Sequence, residues 1–362
     1  MVRKHVFGCS CLRRNMAPGS PGMLGRRDVL AGFAATMVAG AIKSAPARAA
    51  EARPQRIDVH HHLSPPAYIA AANANHVGEA PMRNWTVDKS LDDMDKAGVA
   101  TAMLSITTPG VNFISGEPAR GLARDCNEYA AKLIADHPGR FGSFATVPLT
   151  DTDGALREIE YAMDTLKADG IGLLTSYGDK WLGHPSFLPV MDELNRRKTL
   201  VYTHPTTANC CVNLVKTQQP AMIEFGTDTT RSIADIIFSG NAVKFRDIRW
   251  IFSHAGGTMP MLLDRFVRNA FLDPNAKPTV PDGTLAELRR FYYDTAQTAN
   301  KPAMLALSAI VPTSQIVFGT DFPYRTSIDH VTALRDCGVF SEAQLADIER
   351  GNALKLLPRL AA

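Results

Sequence analysis

Apolar residues in this chain recur with two alternating periods. From residue 56 onward, short runs rich in β-branched and aromatic residues alternate with longer stretches whose apolar positions are three and four apart. The first pattern fits buried strands and the second amphipathic helices. The runs predict strands at 56–62, 100–107, 140–148, 170–175, 199–204, 248–254, 291–294 and 315–320. Between them, Leu122, Cys126, Tyr129 and Leu133 line one helix face, and Leu156, Ile159, Met163 and Leu166 line the next. Ser90, ahead of Leu91 and Met94, suits an N-cap; Gly240, after Ile233, Ile236 and Ile237, suits a helix stop.

Eight strands alternating with helices over roughly 300 residues predict an α/β fold of the (β/α)8 barrel type. A doubly wound sheet is the competing arrangement. No internal repeat, linker or composition break follows residue 56, so residues 50–362 read as one domain.

Residues 1–49 differ from the rest. Arg26-Arg27-Asp28-Val29-Leu30 precedes an Ala/Gly-rich apolar run of 14 residues, Val29 to Ile42, and then Ser44-Ala45-Pro46-Ala47-Arg48-Ala49-Ala50. A basic segment, a short apolar segment and an A-x-A site are the parts of a signal peptide. The paired arginines make it similar to a twin-arginine leader. The expectation is handling by the twin-arginine export machinery, cleavage near Ala49 and a periplasmic mature protein. The apolar run is short of the roughly 20 residues that a spanning helix needs, which argues against a permanent membrane anchor.

Charge sharpens this division. The first 49 residues hold eight of the 39 Lys/Arg and one of the 36 Asp/Glu, so the remainder carries 31 basic against 35 acidic side chains. That body gives no support to a nucleic-acid binder. Cys126, Cys210, Cys211 and Cys337 remain in the mature chain without a C-x-x-C pair, so a thiolate zinc site is not expected.

The chemistry gathers at strand ends. The first strand finishes Asp58-Val59-His60-His61-His62. Alternation along a strand puts His60 and His62 on one face and His61 on the other. Two imidazoles side by side suit a divalent metal. Thr203-His204-Pro205 ends the fifth strand, Ser253-His254-Ala255-Gly256-Gly257 the sixth, and Gly319-Thr320-Asp321-Phe322-Pro323 the eighth. Barrel active sites collect at the C-terminal ends of strands. Four strands thus bring four histidines and an aspartate to one mouth. His61, His76, His137, His184 and His330 lack such a context and read as structural or surface residues.

Taken in order, these motifs resemble the amidohydrolase superfamily, and within it the decarboxylase branch that includes aminocarboxymuconate semialdehyde, γ-resorcylate and 6-methylsalicylate decarboxylases. Thr107-Thr108-Pro109-Gly110-Val111 and Glu224-Phe225-Gly226-Thr227-Asp228-Thr229-Thr230-Arg231 are similar to the last of these. The resemblance implies an amidohydrolase-type barrel that holds one divalent metal ion, zinc or alternatively manganese. His60, His62, His204 and Asp321 would be its ligands, with His254 and Asp321 catalytic. The fourth strand, Gly170-Ile171-Gly172-Leu173-Leu174, has no lysine to bridge two metals, which favours a mononuclear site.

The implied activity is metal-dependent, non-oxidative decarboxylation of a small aromatic or dienoic carboxylic acid. A lactonase-like hydrolase of the same superfamily is the alternative, and a non-catalytic binding protein is a third class. Arg231 is a candidate for the substrate carboxylate, or for an ion pair with Asp228. Trp85 and Phe113 are candidates for the pocket wall, though as aromatics they equally suit the core. A homodimer is expected from the same resemblance.

Overall fold

The computed structural model describes residues 55–272 and 279–361. The leader expected over 1–49 lies outside the described residues. Eight strands, β1 (Arg56–His62), β2 (Val99–Ser105), β3 (Phe141–Thr146), β4 (Gly170–Leu174), β5 (Leu200–His204), β6 (Arg249–Phe252), β7 (Tyr292–Asp294) and β8 (Ile316–Val317), lie side by side in chain order. Every neighbouring pair is parallel. The two ends of the sheet meet: Val59 N donates to Phe318 O, Asp321 N to His60 O and His62 N to Phe322 O, at 2.8–2.9 Å. This nearly closed barrel is the expected (β/α)8 architecture.

The helices that return between strands are α1 (Val87–Ala97), α2 (Glu117–Asp136), α3 (Thr152–Glu160), α4 (Leu188–Arg196), α5 (Ala221–Phe238), α6 (Leu263–Leu272), α7 (Lys301–Ser308) and α8 (Ser327–Asp336). Their apolar faces cover the outside of the strands. Leu122, Cys126 and Leu133 of α2 are buried as the spacing predicted. Strands covered on both faces bury nearly every residue, which is why β1 reads as an unbroken buried run after Arg56. Inside the barrel Ile57, Val59, Met103, Phe144, Tyr202 and Ile251 pack together, and α9 (Asn352–Leu356) adds Ala353 and Leu356 to that packing.

Two local expectations changed. Ser90 is inside α1; Thr86 supplies the cap one turn earlier by accepting from Lys89 N. The Ser90 hydroxyl instead accepts from Trp85 Nε1 and lies 2.9 Å from His61 Nε2. Gly240 does end α5, in a left-handed conformation just after Ser239. The apolar runs also overshoot the strands. The segments 253–254 and 318–320 lie beyond the strands as irregular connections that lead to the mouth.

Among the described residues no helix is long and apolar enough to cross a membrane. The four cysteines there are free, with only Cys210 exposed.

His330 is buried behind the strand ends, with Nε2 3.0 Å from Thr295 Oγ1. Burial, helped by the Arg325 charge, pulls its imidazole down from 6.5 to about 4. Between those values the unfolded chain takes up a proton that the native state refuses. Stability therefore falls as the pH drops through this window, by up to about 3 kcal/mol. A His330→Gln variant should flatten that acid slope in thermal melts between about pH 4.5 and 7. An unchanged slope would remove His330 from the acid transition.

Candidate active site at the barrel mouth

The site starts with an irregularity in β1. Asp58 pairs with Ala102 and His61 with Leu104, so Val59 and His60 together stand opposite the single residue Met103. This is a β-bulge, a device that re-aims side chains beside active sites. It lets His60 and then His62 follow Val59 onto the barrel interior. His60 stands over the ring of Tyr202, with centroids 5.3 Å apart. His61 takes the opposite direction and stacks on Phe322 at 4.6 Å.

His204 arrives from the last position of β5. His254 and Asp321 arrive from the turns after β6 and β8. All five side chains are buried. Asp321 Oδ1 lies 3.1 Å from His60 Nε2, 3.0 Å from His62 Nε2 and 3.9 Å from His204 Nε2. Its Oδ2 lies 3.4 Å from His254 Nε2 and accepts from Gln297 Nε2 at 3.0 Å. The structure thus brings together every histidine and aspartate expected at the mouth.

Glycine and strained backbone make this convergence possible. A Cβ on Gly257 would sit 2.0 Å from Gly226 O, so the turn after β6 can lie against α5 only with glycine there. A Cβ on Gly319 would come within 2.8 Å of His60 Cβ. His254, Ala255, Gln297 and Asp321 all have φ between 53° and 68°. Such left-handed residues cost about 1–3 kcal/mol each and persist where the surroundings hold them. The holders are identifiable: Asp294 Oδ1 accepts from His254 N at 2.8 Å, and His60 O accepts from Asp321 N at 2.8 Å.

The inner nitrogen of each imidazole is also oriented. His60 Nδ1 lies 2.8 Å from Asp294 Oδ2, His62 Nδ1 3.3 Å from Ser105 O and His204 Nδ1 2.8 Å from Pro205 O. With carboxylate and carbonyl acceptors at Nδ1, the Nε2 lone pairs face the mouth, as in metal-binding histidines. Burial pulls the His60 imidazole down, but the charges of Asp294 and Asp321 outweigh it and bring it to about 10. Burial pushes Asp321 up, yet the neighbouring His60 charge and the His204 and His254 contacts hold it well below the usual carboxylate range. Burial drives His62 down and His204 far down, which keeps them neutral.

Ligand-capable atoms of His60, His204, His254 and Asp321 lie within 4.8 Å of one another. His62 Nε2 is 3.2 Å from His60 Nε2. Nε2 of His254 is buried and makes no hydrogen bond. Neutral imidazole nitrogens, an ionised carboxylate and an orphaned nitrogen aimed at one point fit a cation, which would take the place of the proton on His60. Distances alone admit either His62 or His254 beside the other three.

Above this floor is a cavity of about 430 Å³. His204, His254, Asp321 and Gln297 form its base; Ala221, Met222 and Phe225 of α5 form an apolar wall; Thr107, Thr108, Tyr324 and Glu79 complete the rim.

Three expected substrate contacts are placed elsewhere. Trp85 is buried in the core, tied to Ser90 and edge-on to Tyr129. Phe113 packs edge-on against Tyr68. Neither lines the cavity. Arg231 is also outside it, because acids on its own helix hold it: Nη1 is 3.3 Å from Glu224 and 3.8 Å from Asp228.

Asp294, Gln297 and Glu79 were not anticipated. The sequence carried a signal for the first, since a predicted strand ends on Asp294. Nothing in the residue types marks the other two.

The sequence profile of the amidohydrolase family matches residues 57–359, nearly all of the described chain. The chain belongs to the amidohydrolase family. Among curated relatives of this amidohydrolase, a decarboxylase of Aspergillus niger, yanB, is 38% identical over 84% of this chain and 88% of its own. The 6-methylsalicylic acid decarboxylase of Penicillium expansum is 36% identical over 84% of this chain and 97% of its own. A solved dihydroxybenzoic acid decarboxylase from Polaromonas sp. JS666, with bound manganese and an inhibitor, has the same fold. Its TM-score is 0.72 at 22% identity, over 84% of this chain and 97% of that one.

Proposed function

We propose that this amidohydrolase is a metal-dependent carboxy-lyase that removes CO2 from a small aromatic acid of the 6-methylsalicylate type. The observation that carries the reading is the Asp321–His254 pair, 3.4 Å apart, at the base of an apolar-walled cavity sized for one substituted ring. The curated relatives named as decarboxylases support it.

One divalent ion, zinc or manganese, would be held by His60, His62, His204 and Asp321. It would supply Lewis acidity toward the carboxylate and ortho-hydroxyl oxygens of the substrate. The chain's own residues do the rest. The wall of Ala221, Met222 and Phe225 takes the ring and excludes water from its face. Asp321, ionised at rest, takes up a proton through His254 and delivers it to the ring carbon that bears the carboxylate. The bond to that carboxylate then breaks, its electron pair returns to the ring and CO2 leaves. His254 relays the replacement proton to Asp321 across the 3.4 Å between them. Asp294 keeps His60 and the His254 backbone in place throughout.

Two further parts belong to this proposal. The Arg26-Arg27 leader supports export to the periplasm through the twin-arginine machinery, and similarity to the decarboxylase branch supports a homodimer. Cell fractionation and sizing of the mature protein test them.

The activity itself is tested by CO2 release from 6-methylsalicylate, salicylate, and 2,3- and 2,6-dihydroxybenzoate, each with and without chelator. We expect chelator-sensitive CO2 from 6-methylsalicylate. A preparation with about one metal per chain that releases none from the panel would overturn the decarboxylase reading and favour the lactonase-like hydrolase.

A further inference from the structure

The cavity has an uneven distribution of charge. Its base holds the histidines and Asp321. At its rim, among the described residues, the one charged side chain is Glu79, and neither lysine nor arginine lines it. Glu79 opens the short helix Ala80–Arg83. Its carboxylate has neither an ion-pair nor a hydrogen-bond partner among the described residues. Its charge is therefore not neutralised by the protein. Arg231, which could have supplied a compensating cation, is engaged by Glu224 and Asp228.

A ring that directs its single carboxylate to the base presents an uncharged edge to Ala221, Met222, Phe225 and Tyr324. A ring with a second carboxylate must place that group against the apolar wall or at the rim, where the threonines offer no positive charge and Glu79 adds a negative one. The first position strips water from a charge without giving it a partner. The second sets like charges close together at the exposed rim, where they repel and added salt screens the repulsion.

We propose that Glu79 is a specificity-determining residue that restricts this cavity to aromatic acids with one carboxylate and rejects those with two. The inference rests on the decarboxylase reading and deepens it by naming a substrate class.

The test pairs 4- and 5-methylsalicylate with 4- and 5-carboxysalicylate. Each pair puts an apolar or an anionic group at the same ring position. The metal-loaded wild type, Glu79→Gln and Glu79→Arg are compared by kcat/KM for CO2 release and by calorimetric binding at low ionic strength. The wild type should prefer the methyl compounds by on the order of 100-fold. Glu79→Gln should narrow that ratio about tenfold through KM, Glu79→Arg should narrow it further, and added salt should shrink the difference between variants. Because each comparison is the ratio of methyl to carboxy compound within one variant, a general change in turnover cancels out of it.

A wild type that binds both classes equally, or a ratio unchanged in both variants, overturns the inference. Failure of the decarboxylase reading looks different: methylsalicylates bind preferentially but no CO2 appears. Absence of binding by either class overturns both.

Discussion

Asp321→Asn is expected to reduce turnover by roughly 10³-fold or more, because one substitution removes both the negative charge of the resting site and the group that takes up and delivers the proton. Among the described residues the carboxylate is the only group that faces all four mouth histidines, with one oxygen toward His60, His62 and His204 and the other toward His254. Asparagine keeps the size but replaces one acceptor oxygen with an amide donor. If that amide takes the Oδ2 position it faces the donating Nε2 of Gln297, now 3.0 Å from an acceptor. If it takes the other position it faces His60 and His62. In the first case Gln297 must turn its amide over to keep a partner, and in both the counter-charge that sustains a protonated or metal-bound His60 falls to Asp294 alone. Metal content should fall as well. Single-turnover CO2 release together with elemental analysis checks both effects, and activity within tenfold of wild type would rule out Asp321 as the proton donor.

The second large effect separates two histidines that geometry alone does not. His254→Asn should lower turnover by about 10²–10⁴-fold, the range of a lost acid–base group, while most of the metal stays bound. His204→Ala should lose metal and activity together. The contrast rests on orientation. His204 has Nδ1 fixed by the Pro205 carbonyl and so offers Nε2 as a ligand. His254 is fixed through its backbone N–H to Asp294, and its Nε2 lies unbonded beside the second oxygen of Asp321. Equal metal loss in the two variants would make His254 a ligand and put the proton relay elsewhere.

The barrel was legible because its two periodicities are local properties of the chain. The mouth histidines were legible because each stands where a strand stops. What escaped was whatever depends on two distant segments meeting. The bulge that turns His60 inward is a mismatch with β2, and no pattern within β1 announces it. Asp294 is an ordinary strand-end residue until His60 and the His254 backbone are found against its two oxygens.

The misplaced aromatics have a complementary explanation. Trp85 and Phe113 belong to connections that also build the outer core, and burial there uses the same residue types as a pocket wall. Arg231 shows how a neighbouring helical turn decides between two uses of one charge. With acids three and seven residues before it on α5, the guanidinium is satisfied before it reaches the cavity.

The meeting of β1 with the segment after β8 has a consequence for how the molecule is made. The contact from His62 to Asp321 spans 259 residues, and that from Asp58 to Thr320 spans 262. Contacts of such separation close very long loops, and they become favourable only after the intervening segments are ordered. The two ends of the barrel therefore act as a clasp whose halves are made at the beginning and the end of synthesis. A chain that stops short of Asp321 carries every mouth histidine yet lacks the carboxylate that all four face. Possession of a complete site thus certifies that the whole barrel has closed.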